Sequence, residues 1–195
     1  MFLDHIEDGC IIGQTIEGED ASFLVLDPLS AEECTFRAVD FSSSQLTGAS
    51  ISGCTFTSCD FSSCDLTGTH VVGVRFEDCT FRGTILVETS LKNVTFHSCY
   101  MQYSSLGSSR MDTVSFDDCS LVESDLSSLR HRRLEIVHSR LERASFTGTP
   151  LRDVDLSGSD ITSVFLSQDL CEMRGARLDV SQVMQLASSL GIRIV

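Results

Sequence analysis

The chain has 195 residues, 28 acids against 14 Lys and Arg, and a formal net charge of −14. An acid surplus of this size excludes nucleic acid as a partner, because phosphate would be repelled, and favours basic surfaces, including those that normally hold DNA. No run of about 18 uninterrupted apolar residues occurs, so no membrane span is expected, and the length suits one domain.

The first 33 residues carry nine of the acids and no Lys or Arg. Met1 to Asp8 lack the basic start of a secretory signal. A weak five-residue phase runs through Ile6, Ile11, Ile16, Ala21 and Leu26, but Asp4 and Glu19 fall where small inward residues should stand. Residues 1–33 are therefore expected to form a degenerate first coil, with a capping loop near Asp27 and Pro28.

From residue 34 the phase becomes strict. An apolar residue returns at every fifth position, from Phe36, Phe41, Leu46 and Ile51 through to Leu156, Ile161 and Leu166. A period of five fits neither a helix nor a flat strand, so this is a repeat architecture. Two residues before each apolar position stands a small one, such as Cys34, Val39, Ser44, Ala49 and Cys54. An i−2/i pair on extended backbone points to one side. Each unit thus sends one large and one small side chain inward and then turns a corner. No Asp, Glu, Lys or Arg between residues 34 and 168 occupies either inward column, as a closed core requires.

A period of twenty overlies the five. Phe36, Phe56, Phe76, Phe96 and Phe116 form one column, Leu46 to Leu126 a second, and Cys59, Cys79, Cys99 and Cys119 a third. Like residues at this interval imply four sides per coil, with coils stacked about 4.8 Å apart. Seven of the nine cysteines sit in the small inward column. They read as core residues of a protein in a reducing cytoplasm. Metal-ligand spacing is absent, and no metal or other cofactor is expected.

One position breaks the pattern. His131 fills a large apolar slot, while Leu129 and Leu134 are oversized for small slots, and Arg130, Arg132 and Arg133 surround them. Either large and small positions swap locally, with both leucines inward and His131 turned out, or the segment bulges into a basic contact patch. Arg110 and Arg130, like Arg132 and Arg152, are twenty apart and should stack as like charges, with Asp112 and Asp153 giving relief.

The last segment changes period. Apolar residues at 180, 183, 184, 187 and 190, an Asp179…Gln182 capping box and Gly191 as a stop predict a helix. Ile192 to Val195 would follow as a short strand. The domain organisation is thus residues 1–33 as N-terminal coil and cap, 34–173 as the solenoid and 174–195 as a C-terminal module.

Units such as Cys59-Asp60-Phe61-Ser62-Ser63 and Val154-Asp155-Leu156-Ser157-Gly158 resemble the pentapeptide-repeat proteins. That resemblance implies an all-β, right-handed quadrilateral β-helix. Arg174-Gly175-Ala176-Arg177-Leu178-Asp179-Val180, then Gln182, Leu186-Ala187 and Leu190-Gly191-Ile192, resembles the tail of the quinolone-resistance types, MfpA and Qnr. It implies a C-terminal homodimer, through Val180, Val183, Met184, Ala187, Leu190, Ile192 and Ile194. It also implies a DNA mimic that binds DNA gyrase, and often topoisomerase IV, and protects it from fluoroquinolones. The unbroken phase is nearer the loop-less MfpA type.

The size of such a mimic is consistent. Caps and coils make a protomer of about 40 Å and a tail-to-tail dimer of about 80 Å. A dimer charge of twice −14, or −28, gives about one charge per 3 Å, against one per about 1.7 Å in duplex DNA. Residues 1–128 hold 20 acids and 5 bases, and residues 129–195 hold 8 and 9, so the ends would be acidic and the centre nearly neutral. Asp60, Asp65, Glu77, Asp78, Asp117, Asp118, Glu123 and Asp125 are the candidate contact residues. No catalytic motif is found, and no enzymatic activity is expected. The alternative is a repeat scaffold whose acidic face binds a different basic protein. Immunity to a gyrase-directed toxin would share the first mechanism.

Overall fold

The computed structural model describes residues 1–27, 29–189 and 191–192, with Ser189 described for its backbone alone. The chain winds as a parallel β-solenoid. Each early coil contributes two three-residue strands: β1 (Cys10–Ile12) and β2 (Thr15–Glu17), β3 (Ser30–Glu32) and β4 (Thr35–Arg37), β5 (Ser50–Ser52) and β6 (Thr55–Thr57), β7 (His70–Val72) and β8 (Arg75–Glu77). In the next three coils the two strands merge around the corner into β9 (Ser90–His97), β10 (Arg110–Asp117) and β11 (Arg130–Val137). All pairings are parallel and offset by twenty residues, as in Phe36↔Phe56, Phe56↔Phe76 and Phe76↔Phe96.

The strands before and after the first corner define a first and a second face. Two further faces are held by single parallel bridges. The third runs Asp20, Asp40, Asp60, Thr80, Tyr100, Ser120, Arg140 and Asp160, and the fourth Val25, Gln45, Asp65, Ile85, Ser105, Asp125, Ser145 and Phe165. Backbone groups that a strand edge would leave orphaned are paired between coils. Phe41, Phe61, Phe81 and Met101 each donate their N–H to a carbonyl on the next coil at 2.7 Å. Corners are turned by residues in the left-handed region, and Ser63, Asp78 and Tyr103 accept it at φ 57°, 52° and 61°. Five residues cannot turn a right angle otherwise, so the repeat tolerates non-glycine residues at positions normally costly for them.

The core is the predicted axial column. Phe36, Phe56, Phe76, Phe96 and Phe116 stack with ring centroids 4.6 to 5.0 Å apart, and Phe41, Phe61 and Phe81 stack at 4.9 Å beside them. The stacking distance follows the coil spacing. Rings of the two columns meet edge to face, as Phe76 and Phe81 do at 5.2 Å and 83°, the geometry the ring quadrupole favours. The seven inward cysteines are buried and free. Burial pushes the Cys54 and Cys64 thiols up to about 11, so they behave as small apolar residues. At the irregular coil Leu129 and Leu134 are buried and His131 is only half-buried. Its Nε2–H donates to the Pro150 carbonyl. Both leucines fill the axis and His131 leaves it, while Ile136 stays buried in the large slot beside Leu134.

The ends are closed differently. Coil pairing already begins at Cys10, which pairs with Ser30, and Leu26 donates its N–H to Gln45 in register. The chain up to Asp27 therefore follows the coil path, Pro28 of the expected capping loop lies outside the described residues, and the plug comes from the 3-10 turn Phe2–His5. Phe2 is fully buried against Phe41, at 5.3 Å. Of the two polar residues that disturb the first coil, Asp4 lies in this turn itself and Glu19 is met by it, as is Gln14. Gln14 exchanges hydrogen bonds with His5 (2.8 and 3.1 Å), and Glu19 faces the Met1 amino group at 3.6 Å.

At the far end coil pairing continues past Met173, because Asp153 and Leu156 donate to the Gly175 and Arg177 carbonyls, both at 3.0 Å. Helix α1 (Val180–Ser189) then lies across the last coil. The capping box forms as predicted, with Asp179 Oδ1 accepting from Gln182 N–H and Gln182 Oε1 accepting from Asp179 N–H, both at 2.9 Å. Gly191, at φ 75°, ends the helix. The predicted strand beyond Ile192 lies outside the described residues. Gln182 is buried, and its Nε2 also donates to the Leu156 and Ser159 carbonyls at 2.7 Å each, which ties the helix to the tube. No helix of the described residues is long and apolar enough to cross a membrane.

Three outcomes follow from this packing. Thr69 is fully buried and its hydroxyl has no partner. Thr69→Val should raise the unfolding free energy by about 1 kcal/mol, measured by denaturant titration. Gln182→Ala strands the Ser159 carbonyl and leaves the Leu156 carbonyl with the Ser159 N–H alone, and should cost about 1–3 kcal/mol, with hydrogen exchange speeding up in α1 first. Glu172 is buried beneath the end of the tube and accepts from Gly148 N–H (2.8 Å) and Ser167 Oγ (2.7 Å). Burial alone would raise its pKa, and these donors more than offset that, leaving it below its ordinary 4.5. Its stabilising contribution is therefore full above that value and is lost as pH falls through the lowered one. The stability difference between the wild type and Glu172→Gln should shrink on acidification.

Candidate functional site: a charged tube with unequal faces

Outward side chains stack at the same twenty-residue interval as the core, so charges form columns. On the third face Asp20, Asp40 and Asp60 occupy successive coils. One oxygen of each accepts the N–H two residues on, from Ser22 (2.9 Å), Ser42 (2.8 Å) and Ser62 (2.8 Å). These local turns fix each carboxylate at a corner. At Asp20 they also hold the carboxyl below its ordinary range, the Ser22 side chain being the larger cause and its N–H the next. Asp65 and Asp125 repeat the arrangement on the fourth face, with Thr67 and Ser127 N–H at 2.9 Å.

The eight acids singled out from sequence do not share one side. Asp60 is on the third face and Glu123 at its corner, while Asp65 and Asp125 are on the fourth. Glu77 and Asp117 are on the second face, with Asp78 and Asp118 at its corner. Two of the second-face acids already have side-chain partners. Arg75 holds Glu77 at 2.6 Å, and Asp117 lies 3.2 Å from His97 and 3.3 Å from His138. Glu123 lies 3.6 Å from Arg143.

The first face has the opposite character in its later coils. Arg110 and Arg130 are direct strand neighbours, as are Asp112 and Arg132. Arg132 grips Asp112 with two hydrogen bonds, at 3.0 and 2.7 Å, and Arg133 approaches it at 3.8 Å. The Arg132 guanidinium hydrogen bond holds the Asp112 carboxyl below the usual carboxylate range. Arg110 and Arg130 have no carboxylate within ion-pair distance among the described residues, and they line an open groove of about 540 Å³ with His70, Glu88 and Ser108. Sequence reasoning met the arginine pairs one by one. Sorting residues by position within the twenty would have shown the stripe.

The helix contributes a second surface. Leu186 packs on the core while Val180, Val183 and Met184 are exposed on the outside, with Ala187 half-buried beside them. Ile192 is exposed nearby. Leu190 and Ile194, also expected at a dimer contact, lie outside the described residues. One group of three potential metal ligands occurs among the described residues, Asp169, Cys171 and Glu172. Their carboxylates are already spent as acceptors for Ser167, Gly148 and the Cys171 N–H.

Comparison with known proteins addresses the family. Three family models match: a pentapeptide repeat region over residues 69–146, nine pentapeptide repeats over 41–89 and eight over 137–168. Together they span residues 41–168, well over half of the chain. No curated protein matches. Among solved structures, trypsin-treated QnrB1, a plasmid-mediated fluoroquinolone resistance protein, is 20% identical, with 96% of this chain and 100% of that one covered and a TM-score of 0.39. HetL from the cyanobacterium Nostoc sp. strain PCC 7120, involved in heterocyst differentiation regulation, is 15% identical, with 89% and 87% covered and a TM-score of 0.39. Rfr23 from Cyanothece 51142 is 11% identical, with 88% and 92% covered and a TM-score of 0.27. The five-residue phase, the four-sided parallel coils and the three family matches agree that the chain belongs to the pentapeptide-repeat proteins.

Proposed function

We propose that this chain is a DNA-mimicking protein that binds DNA gyrase, with topoisomerase IV as a second target, and protects the enzyme from fluoroquinolones or another topoisomerase poison. It acts in the cytoplasm without catalysis, as a homodimer joined through the C-terminal module. One observation carries the reading. Carboxylates are fixed at a regular pitch on a rigid tube, as in the Asp20, Asp40 and Asp60 column, where each is tied down by a local hydrogen bond. A partner built to hold phosphates at close intervals would meet preorganised anions, and ordering them would cost little on binding. The apolar stripe of Val180, Val183 and Met184 supports the dimer, because exposed side chains at i, i+3 and i+4 match a helix-packing face.

The second reading, a scaffold for a different basic protein, is favoured by the cation stripe of the first face. Duplex DNA is negative all round, and Arg110 and Arg130 standing unpaired are not part of that disguise.

Titration of the purified protein into a gyrase supercoiling assay, with and without a fluoroquinolone, decides between them. Inhibition alone, or protection from drug-stabilised cleavage, at micromolar concentration and weakened by added salt, is expected. No effect in either arm would leave the scaffold. Met184→Asp should convert dimers to monomers in analytical ultracentrifugation, and a dimer that persists would refute this interface.

A further inference from the structure

The four sides of the tube differ enough to assign which of them meets the partner. Resting on the reading that the partner is a basic protein surface, we propose that the third and fourth faces, anchored by Tyr100 on the third and Tyr103 at the corner they share, form the docking surface, and that the first face points away.

Charge supplies the first argument. The fourth face, from Leu24 onward through all its coils to Gln168, contains no Lys, Arg or His. On the third face Arg82 is the only base before Arg140. The aspartates there, such as Asp60 and Asp65, are held by backbone N–H groups and keep one oxygen for a partner, whereas Glu123 and Glu142 are paired with Arg143 and Arg140. On the second face Arg75 already lies on Glu77, and the imidazoles of His97 and His138 crowd Asp117. On the first face Arg110 and Arg130 would repel a basic surface.

Exposed apolar side chains supply the second argument, and it is independent of charge. Outside the caps and the C-terminal helix, large exposed apolar residues fall on the third and fourth faces in six cases: Phe23, Val25, Ile85, Tyr100, Tyr103 and Phe165. The first face has Ile12 and Val72, and the second face has none among the described residues. Tyrosines half in solvent cost little entropy to dock and recur as interface anchors. Tyr100 and Tyr103 are 57% and 52% exposed, on a coil halfway along the stack and between the acids of Asp60 and Asp125. The Tyr103 ring already receives a guanidinium, that of Arg82 at 5.7 Å. This site is therefore suited to arginines of a partner as well.

The partner so described presents Lys and Arg around an apolar recess. Its binding should lean on the tyrosines for residence and on the carboxylates for encounter. Three of the eight acids singled out from sequence then belong to the contact, Asp60, Asp65 and Asp125, while Glu123 is already paired with Arg143. The four on the second face do not.

The test measures binding of purified DNA gyrase by surface plasmon resonance. Tyr100→Ala/Tyr103→Ala should weaken it by about tenfold or more, mainly through faster dissociation. Asp60→Asn/Asp65→Asn keeps the local hydrogen bond and should slow association and flatten its salt dependence. Arg110→Gln/Arg130→Gln should leave binding unchanged, with circular dichroism confirming each fold. A loss confined to Asp78→Asn/Asp118→Asn, with the tyrosine variant binding normally, would overturn the assignment. A second probe keeps the two questions apart. A short peptide of alternating lysine and tryptophan is titrated into isotope-labelled wild type and the amide shifts are mapped. If gyrase does not bind, the proposed target falls, and the map still decides the face. Shifts around Tyr100, Tyr103 and Asp60 uphold the docking surface, and shifts on the first or second face overturn it.

Discussion

Parallel hydrogen bonding between coils governs this molecule. Each coil must present the same outline to the next about 4.8 Å away, and inter-coil N–H donations at 2.7 to 3.2 Å run from the first coil to the last. The spacing leaves no room for variety inside, so phenylalanine lies on phenylalanine and cysteine on cysteine. It also leaves little outside. Any residue type repeated at twenty becomes a column, and an acid in such a column is unavoidably near its like. The protein tolerates that repulsion because the backbone ladder and the buried rings outweigh it. A surface of closely ranked carboxylates is thus a by-product of how the core is built, available for use.

The same constraint makes the ends special. A solenoid's terminal coils have apolar rings with nothing stacked on them. Phe2 covers one end and helix α1 the other. The two caps use opposite means. The N-terminal turn inserts an aromatic ring and answers stray polar groups at Gln14 and Glu19. The C-terminal lid is attached by polar bonds, with Gln182 bound to two carbonyls and Glu172 bound to Gly148 and Ser167. Beside Leu186, which packs on the core, it therefore keeps apolar side chains for the outside, where Val183 and Met184 remain exposed. A lid fastened in this way can close a tube and still offer a surface to a second copy.

The repeat and the capping box of Asp179 and Gln182 were legible in the sequence, because each is a spacing rule that local geometry enforces, and the inward turn of Leu129 and Leu134 belonged to one of two readings it left open. Phe2 was not, since it falls outside the five-residue phase and its burial depends on a turn folding back over the first coil. Gln182 could be read as a cap, but its second role needs the carbonyls of Leu156 and Ser159, which only the winding of the last coil brings near. Buried Glu172 carries no sequence signal, as its donors are 24 and 5 residues away. The inequality of the faces lies between these cases. It is written in the sequence at a period of twenty, yet a count along the chain mixes the four sides and shows only an acidic half and a neutral one.

Small-angle X-ray scattering tests the central claim most directly, since a tail-to-tail pair of coil stacks is about twice as long as a globule of 195 residues is wide, about 40 Å. A rod-like profile is expected, with a maximum dimension of about 80 Å for the dimer and about 40 Å for the monomer, set by the coil rise. A compact, near-spherical profile would contradict the stacked tube, and with it the fixed array of anions on its sides.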